Sequence, residues 1–180
     1  SESQDSDGGD TRVSPAPKLR VLLADDHTLV RAGVRRILEA HPGVTVVGEV
    51  ADAAAALLAL QRTTVDVLVL DLSMPGADGF EVLRRARDVA PRTKVLVLSM
   101  HADPEYVARA VREGADGYLL KDSAVSELMA GIEAVQAGRA YYSPEVQREL
   151  TEILRGKPAP PSPLQDITER EREVLKRIAE

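Results

Sequence analysis

The sequence predicts a doubly wound α/β fold, a parallel sheet with helices packed on both faces, and three observations carry that prediction. Short runs rich in Val, Leu and Ala read as strands buried on both sides. Longer stretches between them place apolar residues at helical spacing. The two kinds alternate in five strand–helix repeats from Leu19 to Ala137, the pattern that parallel strands with helical crossovers require.

Each element has its own warrant. Leu19–Ala24 is an apolar run, and His27–Ala40 carries Leu29, Val30, Val34, Ile37 and Leu38 at helical spacing before His41-Pro42-Gly43 stops it. Val44–Val50 is β-branched, and Asp52 is placed to cap the Ala-rich helix Ala53–Arg62. Val65–Leu70 is the third strand and runs into Asp71. Met74–Gly79 is a loop, with Met74-Pro75-Gly76 as its turn, and Gly79–Ala90 is a helix. Lys94–Ser99 is the fourth strand. Asp103 and Pro104 open the helix Asp103–Glu113. Gly117–Leu120 is a short fifth strand and Ser123–Ala137 the fifth helix.

After Gly138 the alternation ends. Ser143 followed by Pro144 marks the start of a further helix to Leu154, and Tyr141 and Tyr142 read as packing for it. Gly156–Pro163 is a Pro-rich, extended linker. Thr168 with Glu171 forms a capping box for a last helix, Glu169–Ala179. Residues 1–18 are polar and acidic and read as a flexible tail.

Composition narrows the function. The 180 residues are 44 % hydrophobic but only 3 % aromatic, so the core must be aliphatic. Cysteine is absent, which excludes disulfides and thiolate metal sites and favours a reducing compartment. No apolar run approaches a membrane span, and the opening SESQDSDGGD is unlike a signal peptide, so a cytoplasmic location without membrane partners is expected. A net charge of −6 argues against nucleic-acid binding by the chain as a whole.

The chemistry gathers at the C-terminal strand ends. Strand one ends in Asp25 and Asp26, strand three in Asp71, strand four in Ser99, and strand five leads to Lys121. In a doubly wound sheet these ends share one edge, near the topological switch point. Carboxylates crowded there repel one another unless a cation intervenes. Mg²⁺, a hard cation that takes oxygen ligands and keeps waters, suits them. A carboxylate, a metal, a hydroxyl and a lysine around one point make a phosphoryl-handling site. Singly, each residue has a plainer reading: an Asp after a strand caps the next helix, and Lys121 is a solvated charge. Jointly they point to chemistry, because all five fall at the same ends of the strands.

The pieces LADDH, LDLSMPGADGFEVL, VLVLSMHAD and GADGYLLKD resemble the receiver domain of two-component response regulators over about two thirds of the chain. The tail SPLQDITEREREVLKRIAE is similar to the start of the helix-turn-helix effector of the NarL/LuxR-type subfamily. The resemblance implies a flavodoxin-like five-stranded sheet in the order 2-1-3-4-5 with a C-terminal helical extension. It implies Asp71 as phospho-acceptor from a sensor histidine kinase, and Mg²⁺ held by Asp25, Asp26, Asp71 and the backbone carbonyl of Ser73. It also implies Lys121 as phosphoryl contact, Ser99 as switch hydroxyl, and Tyr118 as the aromatic that turns inward when Ser99 moves. Homodimerisation on phosphorylation and control of a DNA-binding effector follow from it. The implied division is a tail over 1–18, a receiver over 19–138, a helix and linker over 139–165, and the first helix of a truncated effector over 166–180.

Departures from the family pattern are visible. The switch position is Ser99 where Thr is commoner, and Lys121 precedes Asp122 where many receivers have Pro. Ser73 and His101 stand two residues past Asp71 and Ser99, positions that in the family tune phosphoryl lifetime. His27 reads as a residue that hydrogen-bonds locally at the start of the first helix. A second reading is a Mg²⁺-dependent phosphotransferase or phosphatase with Asp71 as turnover nucleophile. Many such hydrolases need an Asp as general acid where Ser73 stands, which favours the switch over an enzyme; only self-catalysed phosphoryl transfer and hydrolysis are expected.

Overall fold

Residues 16–74 and 79–156 are described by the structure, a computed structural model. The expected effector helix, most of the linker and most of the N-terminal tail lie outside these residues, as does Pro75–Gly76 of the turn.

Aliphatic side chains dictate the sheet. Strands β1 (Leu19–Ala24), β2 (Val44–Val50), β3 (Val67–Asp71), β4 (Lys94–Ser99) and β5 (Gly117–Leu120) alternate with helices α1 (Thr28–Glu39), α2 (Ala53–Arg62), α3 (Gly79–Val89), α4 (Pro104–Glu113) and α5 (Ala124–Gln136). Every residue of β3 is buried, as its position between β1 and β4 demands. The strand period of two divides the core. Val21, Leu23, Val67 and Val69 join Val34, Leu38, Leu128 and Ile132 under α1 and α5. Leu22, Ala24, Leu68 and Leu70 join Ala56, Leu60, Phe80, Leu83 and Val107 under α2, α3 and α4.

Strand order is the expected one with an addition. A sixth strand, β6 (Tyr141–Tyr142), pairs in parallel with Gly117 and Tyr118, giving β2-β1-β3-β4-β5-β6. The expectation of five strands is corrected to six among the described residues. Two residues show no periodicity, so pairing here is decided by what lies alongside. Gly117 makes room for it, since a Cβ there would stand 2.9 Å from the Tyr141 carbonyl oxygen. The third strand starts at Val67 rather than Val65, whose carbonyl accepts from the Thr93 hydroxyl at 2.7 Å.

Helix boundaries follow local chemistry. Asp52 caps α2 by accepting from the Ala55 amide at 2.8 Å. Pro104 opens α4, and Gly114, at φ +121°, closes it in a conformation that a side chain resists. The last described helix, α6 (Pro144–Leu154), buries Val146 in the α2–α3–α4 core and packs beside α4. Ser143 stands at its N-cap position, yet its hydroxyl does not cap the helix. It accepts from the Leu120 amide at 2.9 Å and donates to Glu127 Oε2 at 3.3 Å. Among the described residues no helix is long and apolar enough to cross a membrane.

Candidate phosphoryl and metal site

Parallel pairing aligns the ends of β1, β3 and β4 along one edge, and the sequence places carboxylates and a hydroxyl there. Asp71 is the centre. It is 1 % exposed, and its Oδ1 accepts from the Ser73 amide at 2.9 Å and from the Ser73 hydroxyl at 2.7 Å. Its Oδ2 accepts from Lys121 Nζ at 3.1 Å. Burial resists ionisation of Asp71, but the Ser73 hydrogen bonds and the Lys121 ammonium outweigh it and hold the carboxyl below the usual range. The group is therefore an ionised carboxylate at neutral pH, the form a nucleophile needs.

Asp25 and Asp26 flank it. Lys121 Nζ also lies 3.3 Å from Asp25 Oδ2, a buried oxygen with no hydrogen bond of its own. Arg31 holds the Asp25 backbone by donating from Nη1 to its carbonyl at 2.7 Å. One ligand atom from each of Asp25, Asp26, His27 and Asp71 falls within 4.8 Å of the others. The residues fit a hard divalent cation on two counts. The donors are predominantly carboxylate oxygens, and one buried oxygen lacks a hydrogen-bonding partner.

Ser99 and Tyr118 both bond the backbone of His101. Ser99 is buried, and its Oγ accepts from the His101 amide at 3.1 Å rather than bonding Asp71. The Tyr118 ring is fully buried and donates its hydroxyl proton to the His101 carbonyl at 2.6 Å. Burial pushes the Tyr118 hydroxyl far above the ordinary tyrosine range, with a hydrogen bond to Ser99 pulling the other way. The His101 ring leans on Tyr106, with the ring centroids 5.1 Å apart.

The carboxylates and Lys121 thus converge, Ser73 binds Asp71 through its amide and hydroxyl, and Ser99 with Tyr118 is joined through the His101 backbone. His27 hydrogen-bonds locally at the start of α1, as expected, and Arg31 is the participant that went unread. His27 turns its ring into the acid cluster, with Nδ1 at 3.0 Å from Asp25 Oδ1. Its place directly after Asp25 and Asp26 was the available signal. Arg31, one helical turn further on, had none.

Three comparisons bear on this geometry. A family model described as "Response regulator receiver domain" matches residues 21–133. The chain is 41 % identical over 167 residues to a probable transcriptional regulatory protein NarL of Mycobacterium tuberculosis, covering 92 % of this chain and 76 % of that protein. Its fold is similar to that of a LuxR-family two-component response regulator from Aurantimonas sp. SI85-9A1, with TM-score 0.72, 40 % identity and coverage of 75 % and 96 %. It is also similar to a chain from a structure of two RcsB dimers bound to two parallel DNAs, with TM-score 0.70, 32 % identity and coverage of 74 % and 68 %.

Proposed function

The chain belongs to the response regulator receiver family, and on that premise we propose that Asp71 accepts a phosphoryl group from a sensor histidine kinase and so switches a DNA-binding effector. The carrying observation is Asp71 itself: an ionised, buried carboxylate with Lys121 3.1 Å from one oxygen, among further carboxylates at the sheet edge.

In the proposed step an Asp71 oxygen attacks phosphorus of the donor phosphohistidine. The O–P bond forms as the N–P bond breaks, and the departing imidazole nitrogen keeps the electron pair and takes a proton. Lys121 offsets charge on the transferring oxygens, and the Ser73 donors keep the other Asp71 oxygen oriented. Asp25, Asp26, Asp71 and the Ser73 carbonyl would hold Mg²⁺, which when bound neutralises phosphoryl charge.

The new group adds about −1.5 to −2 charge. Its oxygens draw Ser99 off the His101 amide. Tyr118 is tied to the same loop through the His101 carbonyl, so the segment between β4 and α4 shifts with Ser99. Helix α6 packs against α4 and carries the change toward the effector that we assign to residues 166–180 onward, beyond a receiver over 19–138 and a connecting segment over 139–165. Specific DNA contact belongs to that effector. The dimers on DNA described for the RcsB relative support a homodimeric active form. A cytoplasmic location belongs to the same proposal, because phospho-donor and DNA meet there. Ser73, where turnover hydrolases carry an acid, supports slow self-catalysed hydrolysis over an enzyme.

Intact mass after incubation with Mg²⁺ and acetyl phosphate tests this. One added phosphoryl that requires Mg²⁺ and disappears in Asp71→Asn is expected. An adduct on Asp71→Asn, or rapid steady-state turnover of an aryl phosphate, overturns it.

A further inference from the structure

Ser143 stands where β6 turns into α6, and its hydroxyl serves the sheet rather than the helix. It is the N-cap residue of α6 and precedes Pro144, a place that rewards a capping oxygen, yet no cap hydrogen bond forms. The residue is fully buried. It bonds β5 on both sides of Leu119. Its amide donates to the Tyr118 carbonyl at 3.0 Å, as the parallel ladder requires. The next rung should be the Leu120 amide on the Ser143 carbonyl. That carbonyl has already turned to the helix, where it accepts from the Gln147 amide at 3.0 Å. The Ser143 hydroxyl takes its place and accepts from the Leu120 amide at 2.9 Å. One residue thus completes the sheet and starts the helix.

Glu127 of α5 fixes the direction of that hydroxyl. Its Oε2 accepts from Ser143 Oγ at 3.3 Å, and its Oε1 accepts from the Tyr141 hydroxyl at 3.0 Å. With its proton given to Glu127, the Ser143 oxygen turns its lone pairs to Leu120. The residues held in this way lead to both halves of the site. Leu120 precedes the single 3₁₀ turn Lys121–Ser123, and Lys121 Nζ lies 3.1 Å from Asp71 Oδ2. Tyr118 donates to the His101 carbonyl, and the His101 amide donates to Ser99. On its other side Ser143 leads into α6, which buries Val146 and packs on α4.

Resting on the reading above that Lys121 contacts a phosphoryl group on Asp71, we infer that Ser143 is a positioning residue for that group, acting through Leu120 on Lys121 and directed by Glu127. The hydroxyl reaches Leu120 only while α6 is seated, because the turn into α6 is what brings the side chain there. Helix α6 is therefore part of what holds the phosphoryl contact in place. Linkage makes the effect reciprocal. If a seated α6 places Lys121 for the phosphoryl group, a phosphoryl group that engages Lys121 favours the seated α6 by the same factor.

The test uses the full chain with Mg²⁺ and beryllofluoride, a non-covalent stand-in for the phosphoryl group. Fluorine resonance titration reads its affinity, and hydrogen exchange of the α6 amides reads how firmly the helix is seated. In the wild type, beryllofluoride slows α6 exchange about threefold or more. In Ser143→Ala the affinity falls about three- to tenfold, and α6 exchanges at one rate with and without the ligand. A merely structural serine gives a different result: Ser143→Ala quickens α6 exchange by one factor in both states and leaves the affinity alone. That result overturns the inference and leaves the phosphoryl site standing. Wild-type α6 exchange that is unchanged or faster on binding overturns it too. A wild type that binds no beryllofluoride removes the phosphoryl reading, and the inference with it. Should Ser143→Ala fail to fold, Glu127→Ala, which leaves the Ser143 hydroxyl undirected, decides by the same two readouts.

Discussion

Lys121 Nζ stands 3.1 Å from Asp71 Oδ2, although fifty residues separate the two along the chain. The same ammonium lies 3.3 Å from Asp25 Oδ2, and the Lys121 side chain is only 5 % exposed. It is the cation on which this crowded edge depends.

Lys121→Ala removes that charge and leaves Asp25 and Asp71 facing each other. A loss of about 1–3 kcal/mol is expected without divalent ions, because buried carboxylates lose a charged donor. Saturating Mg²⁺ recovers part of it by restoring positive charge at the site. Urea midpoints of wild type and variant, with and without MgCl₂, measure this. Equal losses in both conditions would show that the lysine matters through packing alone.

Asp26 is the most solvated of the carboxylates, with a third of its side chain exposed. Asp26→Asn lessens like-charge crowding and keeps the shape. The metal-free protein is expected to gain up to about 1 kcal/mol, or stay level. The increase in melting temperature expected of Mg²⁺ on the wild type should vanish. Melting curves across a MgCl₂ series check both halves.

Ser143→Ala takes the acceptor from the Leu120 amide, one residue before Lys121. The site is fully buried, so the orphaned N–H costs about 1–3 kcal/mol. Its hallmark is local: hydrogen exchange should quicken at the Leu120 amide and through α6 before it does in β1 or β3. Uniform loss of protection would show instead that α6 and the sheet open as one unit.

Alkaline pH should weaken the fold through tyrosine. Burial raises the hydroxyls of Tyr118 and Tyr141 above their ordinary value of 10.0, and Glu127 adds to the rise at Tyr141. Groups raised in the folded state stabilise it fully below that ordinary value. The contribution is lost as pH climbs past it toward the folded value, because only the unfolded chain ionises freely. Tyrosinate absorbance in native protein should lag behind that in urea. With four tyrosines and no tryptophan the signal is clean, and Tyr118→Phe should remove most of the lag. Coincident curves would contradict burial of Tyr118.

Much of this was legible beforehand, for physical reasons. Apolar runs such as Val67–Leu70 must be buried on both faces, and that forces the parallel sheet. Once the sheet is parallel, Asp25, Asp26, Asp71 and Ser99 share an edge by topology. What escaped depended on direction and company. Strand β6 exists because Gly117 leaves space beside it. Asp103 and Ser143 sit at N-cap positions as their types suggest, yet neither side chain caps its helix. Arg31 reaches back from α1 to the Asp25 carbonyl, a contact its letter does not carry.

The site draws on β1, β3 and the turn after β5, from Asp25 to Lys121. Parallel strands pair only across long crossover segments, so this edge is closed by contacts far apart in the chain. During synthesis β3 precedes β5 by a few seconds' worth of chain, and β1 by more, at roughly 5–20 residues per second. In that interval the carboxylates meet without their lysine, and a nascent chain has acids but no means of handling phosphate. On the proposed reading, competence to be signalled to therefore arrives with β5 and Lys121, which would make phosphoryl acceptance a report that the strands carrying the site have been completed.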